Sequence, residues 1–316
     1  MKISGFTFGK NVSKLYYPIR PAIESILPIV DEFIVALGAG DADDHTREEI
    51  AKINSQKIKI IDTIWDLEKY PNGMENAHQT DIAKKECTGD WLFYLQADEV
   101  VHEKDLATIE NRCIELLNDK EVEGLLFKYR HFFGDYQHYA DTHGWYSHDI
   151  RIIRNDPEIH SFESAQSFRR IPGFDGKSYR RKEGSQKLKV VPVDAYIYHY
   201  GWVRPPHHMQ KKRKALATIH KGEEKVTEMF RGKPPTFDYG PMKLLSEFKG
   251  SHPSVMKEWI ERFDWGEQLN YADTKLPARE LFKHEKMKYR LITWIEKTIM
   301  GRRQLFGYAN WKLLKK

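Results

Sequence analysis

Gly89–Glu103 reads GDWLFYLQADEVVHE. Trp91 to Leu95 form an unbroken, largely apolar run, which reads as a strand buried on both faces. The run ends in Gln96, Ala97, Asp98 and Glu99. In an α/β protein, acids at the carboxyl tip of a buried strand point at a ligand site. The alternative reading makes Asp98 and Glu99 the N-terminal acids of the next helix.

Working outward, the flanking segments repeat a strand–helix rhythm. Lys2–Phe8 (KISGFTF), Glu32–Leu37 and Lys57–Asp62 read as strands. Between them lie helical patterns around Ala22–Leu27, closed by Pro28, and in Ala42–Gln56, which Asp44 is placed to cap. A third helix spans Met74–Cys87 and breaks at Gly89. Beyond the quoted stretch, Glu103–Asp119 reads as a helix and Val122–Phe132 as a fifth strand. This alternation with short connections predicts an α/β fold with an open, mostly parallel sheet over residues 1–130. The rhythm changes after Phe132: short strands are expected at Ile150–Asn155 and within Lys189–Trp202. A basic helix is expected over Pro205–Gly232, with further helical patterns near 254–263 and 278–300. The chain therefore divides into residues 1–130, residues 131–204 and a helical, basic C-terminal appendage, residues 205–316.

The composition is that of a soluble protein with 13% aromatics, rich in Tyr and Trp. Such a surplus lines polar ligand grooves or packs cores and rims. The net charge of +5 is uneven: Lys283–Lys316 holds ten Lys and Arg against Glu285 and Glu296, so the tail carries +8. That asymmetry suggests an anionic partner. Cys87 and Cys113 make neither a disulfide framework nor a metal box and read as buried thiols of a reducing compartment. MKISGFTFGKN has no signal-peptide core, and no stretch reaches the roughly eighteen apolar residues of a membrane span.

Four pieces in order carry a resemblance: AIESILPIVDEFIVALGAGDADDHT (Ala22–Thr46), ENAHQTDIAKKECTGDWLFYLQADEVV (Glu75–Val101), IRIIRNDPEIH (Ile150–His160) and YIYHYGWVR (Tyr196–Arg204). Over Lys2 to about Trp202 the chain resembles the family 2 glycosyltransferases of GT-A fold, above all those that extend lipopolysaccharide or capsule chains. The resemblance implies a GT-A, Rossmann-like sheet flanked by helices. It implies transfer of a sugar from a nucleotide-sugar donor to a hydroxyl of a glycan or lipid-linked acceptor, with inversion. It also implies a cytoplasmic protein, peripheral at the inner face of the plasma membrane.

In that family the tip of this strand carries a D-x-D motif that holds Mn2+ or Mg2+ against the donor diphosphate. Such hard cations take oxygen ligands and keep positions for water and phosphate. Carried onto this chain, Asp98 is the metal ligand and Gln96, Ala97 and Asp98 meet the donor. Glu99 stands beside them as a structural acid. Two positions depart from the family: Gln96 stands for its first Asp, and Leu37 for the Asp after strand two. Asp41 and Asp43 are then the candidates for the base or ribose. Thr7, Phe8 and Gly9 lie where the family's backbone meets the base, Asp62 at another base-binding position, and Trp65 packs nearby. Arg151 and Arg154 are candidates for the diphosphate, one of them pairing structurally. Glu163 is the expected general base, with His160 as neighbour or alternative. His199 resembles a family histidine near the site and is a second candidate metal ligand.

Gln210–Lys214 (QKKRK) reads either as a phosphate contact or as a solvated helix face. Leu291–Lys316 suits an interfacial helix on anionic lipid, or packing against the catalytic domain or a second subunit. Three rival readings remain. A nucleotidylyltransferase would want a glycine-rich phosphate loop after strand one, and only Gly9 and Lys10 are there. A degenerate, non-catalytic binding or scaffold domain would explain Gln96 and Leu37. A nucleic-acid binder has no recognition motif to support it, so no nucleic-acid partner is expected.

Overall fold

The computed structural model describes residues 1–301, 304–305 and 309–316. The N-terminal part of the chain is built from β1 (Ile3–Gly9), α1 (Ile19–Ile26), β2 (Glu32–Gly38), α2 (Thr46–Ala51), β3 (Ile58–Thr63), α3 (Met74–Lys85) and β4 (Trp91–Tyr94). β5 (Glu99–Val101), α4 (Leu106–Glu115) and β6 (Gly124–Phe133) follow. Then come β7 (His138–Ala140), β8 (His148–Arg154), β9 (Ile159–Phe162), β10 (Ser167–Arg170) and the long β11 (Gln186–Trp202). The remainder holds α5 (Pro206–Lys221), α6 (Glu223–Phe230), β12 (Ser246–Glu247), α7 (Lys257–Glu261), α8 (Met287–Thr298) and β13 (Trp311–Leu313).

The sheet runs β3-β2-β1-β4-β8-β6-β11-β10-β9. β3, β2, β1 and β4 are parallel neighbours. β2 and β4 are buried on both faces, as their continuous apolar runs require. α1 buries Ile19, Ala22, Ile23 and Ile26, the helical spacing of a single apolar stripe. The fold is α/β, an open sheet flanked by helices in the GT-A, Rossmann-like arrangement.

The sheet is more mixed than the strand–helix rhythm suggests. β6, the expected fifth parallel strand, does not adjoin β4. β8 lies between them, antiparallel to both. A sequence rhythm specifies connections, not neighbours, and here a return strand buried on both faces fills the gap. The basic helix expected over 205–232 is two helices, because Gly222 at φ 81° breaks it. The helix expected from 278 begins only at Met287. Asp44 does not cap α2. His45 stands at that position, and the Asp44 carboxylate accepts from Ser13 and Thr46 instead.

The C-terminal third packs onto the sheet. Phe132, Phe133, Tyr198 and Tyr200 share an aromatic cluster with Met242, Met256, Trp259 and Trp265. β13 pairs with β11, Leu188 opposite Trp311. Among the described residues no helix is long and apolar enough to cross a membrane. Within the basic tail, Arg302, Arg303, Phe306, Gly307 and Tyr308 lie outside the described residues. Cys87 and Cys113 are free and buried.

Candidate active site

A cleft of about 1120 Å³ opens at the carboxyl ends of β1 and β4. Its wall includes Phe8, Gly9, Trp65, Gln96, Ala97, Asp98, Arg151, Glu163 and His199. The short strand β5 assembles its floor. Glu99 pairs with His199 in the antiparallel register between β5 and β11, and Tyr200 N–H donates to the Asp98 carbonyl at 2.8 Å. Two segments a hundred residues apart are thereby held side by side.

A chain of hydrogen bonds sets the state of His199. His131 Nε2 lies 2.7 Å from the Tyr146 carbonyl, which only accepts, so this nitrogen carries a proton. Burial pulls His131 down to about 3 and keeps it neutral, leaving its Nδ1 bare. His199 Nδ1, 3.0 Å away, must then donate to it. Burial also pulls His199 down to about 4, although Asp98 pulls the other way. His199 is therefore neutral, with a lone pair on Nε2. That nitrogen stands 3.8 Å from Asp98 Oδ1, too far for a hydrogen bond.

Asp98 is buried, which would raise its pKa, but the cationic groups of Lys212 and Arg204 outweigh burial and hold it below the usual carboxylate range. Burial pulls Lys212 down to about 7 although Asp98 pulls the other way, and its Nζ donates to Asp98 Oδ2 at 3.2 Å and to the Gly201 carbonyl at 2.6 Å. Two acceptors, an ionised carboxylate oxygen and a neutral imidazole nitrogen, thus face a common space. A side chain at Gly201 would close it: a Cβ there would meet His199 Nε2 at 2.5 Å and Asp98 Oδ2 at 2.7 Å. This donor chemistry and the room left by Gly201 fit a hard divalent cation that takes its other ligands from phosphate and water. Among the described residues no group of three or more His, Cys, Asp or Glu side chains is placed to hold a metal by itself.

Glu99 is wholly engaged below the floor. Arg151 Nε and Nη2 each donate to it at 2.7 Å, and the Tyr129 hydroxyl donates at 2.8 Å. Arg151 borders the cleft, but its guanidinium is committed to this pair.

Gln96 has a structural task that an Asp could not perform. Its Nε2 donates to the Ala165 carbonyl at 3.0 Å, tying the end of β4 to the β9–β10 hairpin that carries Glu163. Glu163 and Ala165 adopt positive φ, 60° and 56°, a conformation costing non-glycine residues on the order of 1–3 kcal/mol each. A carboxylate at 96 would oppose the carbonyl. Gln96→Asp is therefore expected to lose about 1–2 kcal/mol of stability in urea titrations and to speed amide exchange across residues 163–166. Unchanged exchange there would remove Gln96 from this role.

The structure leaves several candidates outside the cleft. His160 Nδ1 is bound to Asp81 at 2.7 Å and its ring lies against Phe174. Arg154 is spent on the carbonyls of Leu116, Leu117, Asp119 and Val122 and lies over Trp91. It faces the opposite side of β8 from Arg151. Asp41 and Asp43 both pair with Lys14 at 2.7 Å on the surface. Asp62 is exposed and pairs with Arg47. Thr7 is buried inside β1, whereas its neighbours Phe8 and Gly9 reach the cleft.

Other residues enter that sequence reasoning did not assign. His131 meets His199 only through the β6–β11 register. Gly201 lay inside the quoted YHYGW, where its glycine was the available signal. Of QKKRK, Lys212 and Arg213 line the cleft, whereas Lys211 and Lys214 are exposed.

No protein-family profile matches the chain, and no curated protein matches it. Among solved structures it is similar to glucosyl-3-phosphoglycerate synthase from Mycobacterium tuberculosis in complex with Mn2+, uridine-diphosphate and phosphoglyceric acid, at 17% identity and a TM-score of 0.28. That match covers 42% of this chain and 43% of that one, so less than half the synthase is spanned. It is also similar to S. aureus TarS 1-349, at 15% identity over 74% of this chain and 73% of that one, TM-score 0.36. Superpositions this loose describe a distant likeness and identify no substrate.

Proposed function

We propose that the protein is an inverting, metal-dependent glycosyltransferase of the family 2, GT-A type. It moves a sugar from a nucleotide-sugar donor to a hydroxyl of a glycan or lipid-linked acceptor in cell-surface polysaccharide synthesis, at the inner face of the plasma membrane. The observation that carries this reading is the convergence of the Asp98 carboxylate and His199 Nε2 beside Gly201. These two residues would hold Mn2+ or Mg2+, which when bound neutralises charge on the departing nucleoside diphosphate. Phe8 and Trp65, with ring centroids 6.1 Å apart, offer the base an aromatic wall at the end of β1. Lys212 and Arg213 present cations to the diphosphate.

Glu163 receives the proton of the acceptor hydroxyl. As that oxygen bonds to the sugar's C1, the bond from C1 to the diphosphate oxygen breaks and its electron pair leaves with the phosphate. The hairpin that holds Glu163 is clamped by Gln96 and by Asn76, whose amide donates to Ser164 Oγ at 2.9 Å. Glu163→Gln keeps the side chain's shape and removes its basicity. Nucleoside diphosphate release from the donor should slow on the order of 100- to 10,000-fold, with donor affinity within about twofold of wild type. A rate equal to wild type would show that the base lies elsewhere.

A further inference from the structure

α8 is built inside out for a helix on a water-facing surface. Met287, Leu291 and Trp294 recur at the i, i+4, i+7 spacing of one helix face. They are 72%, 60% and 59% exposed, and Ile299 beyond them is 70% exposed. The face turned to the protein is polar at its centre, with Tyr289, Ile292 and Ile295 half-buried around it. Thr293 and Glu296 are its buried residues. Thr293 Oγ1 accepts from His143 N–H at 2.8 Å, and Glu296 holds His143 Nδ1 at 2.7 Å and Leu305 N–H at 2.6 Å. Tyr289 stacks on the same His143 ring. The helix is thus held by its polar side and offers its apolar side outward, an arrangement that water disfavours and an apolar partner would relieve.

Charge identifies the partner. The stripe is bordered by Lys288 and Arg290, both exposed, and neither has an acidic partner among the described residues. The two acids of the +8 tail are turned inward: Glu285 is buried against Arg279 at 2.8 Å and Glu296 against His143. An apolar stripe ending in Trp and flanked by unpaired cations has the chemistry of a helix lying in a membrane interface. The chain returns to the cleft wall at Gln304, five residues after Ile299.

We infer that the outward face of α8 docks the protein on an anionic bilayer, with Met287, Leu291, Trp294 and Ile299 entering the acyl boundary and Lys288 and Arg290 meeting lipid phosphates. This refines the membrane side of the proposed function and is tested without nucleotide, so either can fail alone. The full chain is co-sedimented with vesicles of phosphatidylcholine, with and without roughly one third phosphatidylglycerol. Wild type should partition at least about tenfold more strongly onto the anionic vesicles. Leu291→Glu with Trp294→Glu should lose binding to both vesicles, while Lys288→Glu with Arg290→Glu should lose the preference for anionic lipid. All variants should melt near wild type, because these side chains are exposed. No wild-type binding, or equal binding by wild type and the Leu291/Trp294 variant, overturns the inference. So does a wild-type dimer that this variant splits without any vesicle binding, which would make a second copy the occupant.

Discussion

Arg151→Ala should lose about 3–5 kcal/mol of folding stability in urea titrations. Arg151 and Glu99 are both fully buried, and two hydrogen bonds of 2.7 Å join them side by side. Without the guanidinium, the Glu99 carboxylate keeps only the Tyr129 hydroxyl and the Gln96 N–H as donors, in a place water does not reach. The cost is that of an uncompensated buried charge rather than of one lost contact. Replacing both partners, Arg151→Met with Glu99→Leu, should recover much of the loss, since the pair and its desolvation disappear together. A loss below about 1 kcal/mol for Arg151→Ala would mean that the pair does not hold the floor of the cleft. The effect matters for the site because Glu99 is the first residue of β5 and adjoins Asp98.

Asp98→Asn should abolish metal-dependent stabilisation by the donor. UDP-, GDP-, CMP- and dTDP-sugars are compared with and without Mn2+ or Mg2+ by thermal melting. A ligand at a hundred times its dissociation constant adds about 2.7 kcal/mol to the native state, a rise of several degrees for a chain of this size. One nucleotide should stabilise wild type only when metal is present, and a chelator should reverse the rise. An amide in place of the Asp98 carboxylate would bring no charge to the cation and would leave the Lys212 ammonium, 3.2 Å away, without its counter-charge. The variant's own melting point is therefore expected to fall. The informative quantity is the ligand-induced shift, which should be near zero. If no nucleotide stabilises wild type at millimolar concentration, or if Asp98→Asn responds like wild type, the donor site is degenerate and a scaffold role replaces catalysis.

Local patterns alone sufficed for the parts of the molecule that depend on near neighbours in the chain. The apolar run Trp91–Leu95 predicted a strand buried on both faces, which the fold has over Trp91–Tyr94, and the residues at its tip, Gln96 to Asp98, line the cleft. Both follow from side-chain burial along a few residues. The sequence also carried β1 to β4 and the helices between them, because buried stripes and breakers such as Pro28 and Gly89 act within a turn or two. The mixed order of the sheet was not legible, because β8 is chosen by packing on both faces and by the Arg151–Glu99 pair, which spans 52 residues.

Of the candidate site, Asp98, Gln96, Ala97, Phe8, Gly9, Glu163, Arg151 and His199 line the cleft, whereas His160, Arg154, Asp41, Asp43, Asp62 and Thr7 do not. Residue type and motif position named both groups alike. Which partner each charge meets separates them: His160 meets Asp81, Arg154 meets four carbonyls, and Asp41 and Asp43 meet Lys14. The tautomer of His199 depends on His131, 68 residues away and brought opposite by strand register. The outward apolar face of α8 exists only because Thr293 and Glu296 find polar partners beneath it. Charge pairing, tautomers and the facing of a helix are set by contacts between distant segments, and folding alone brings those together.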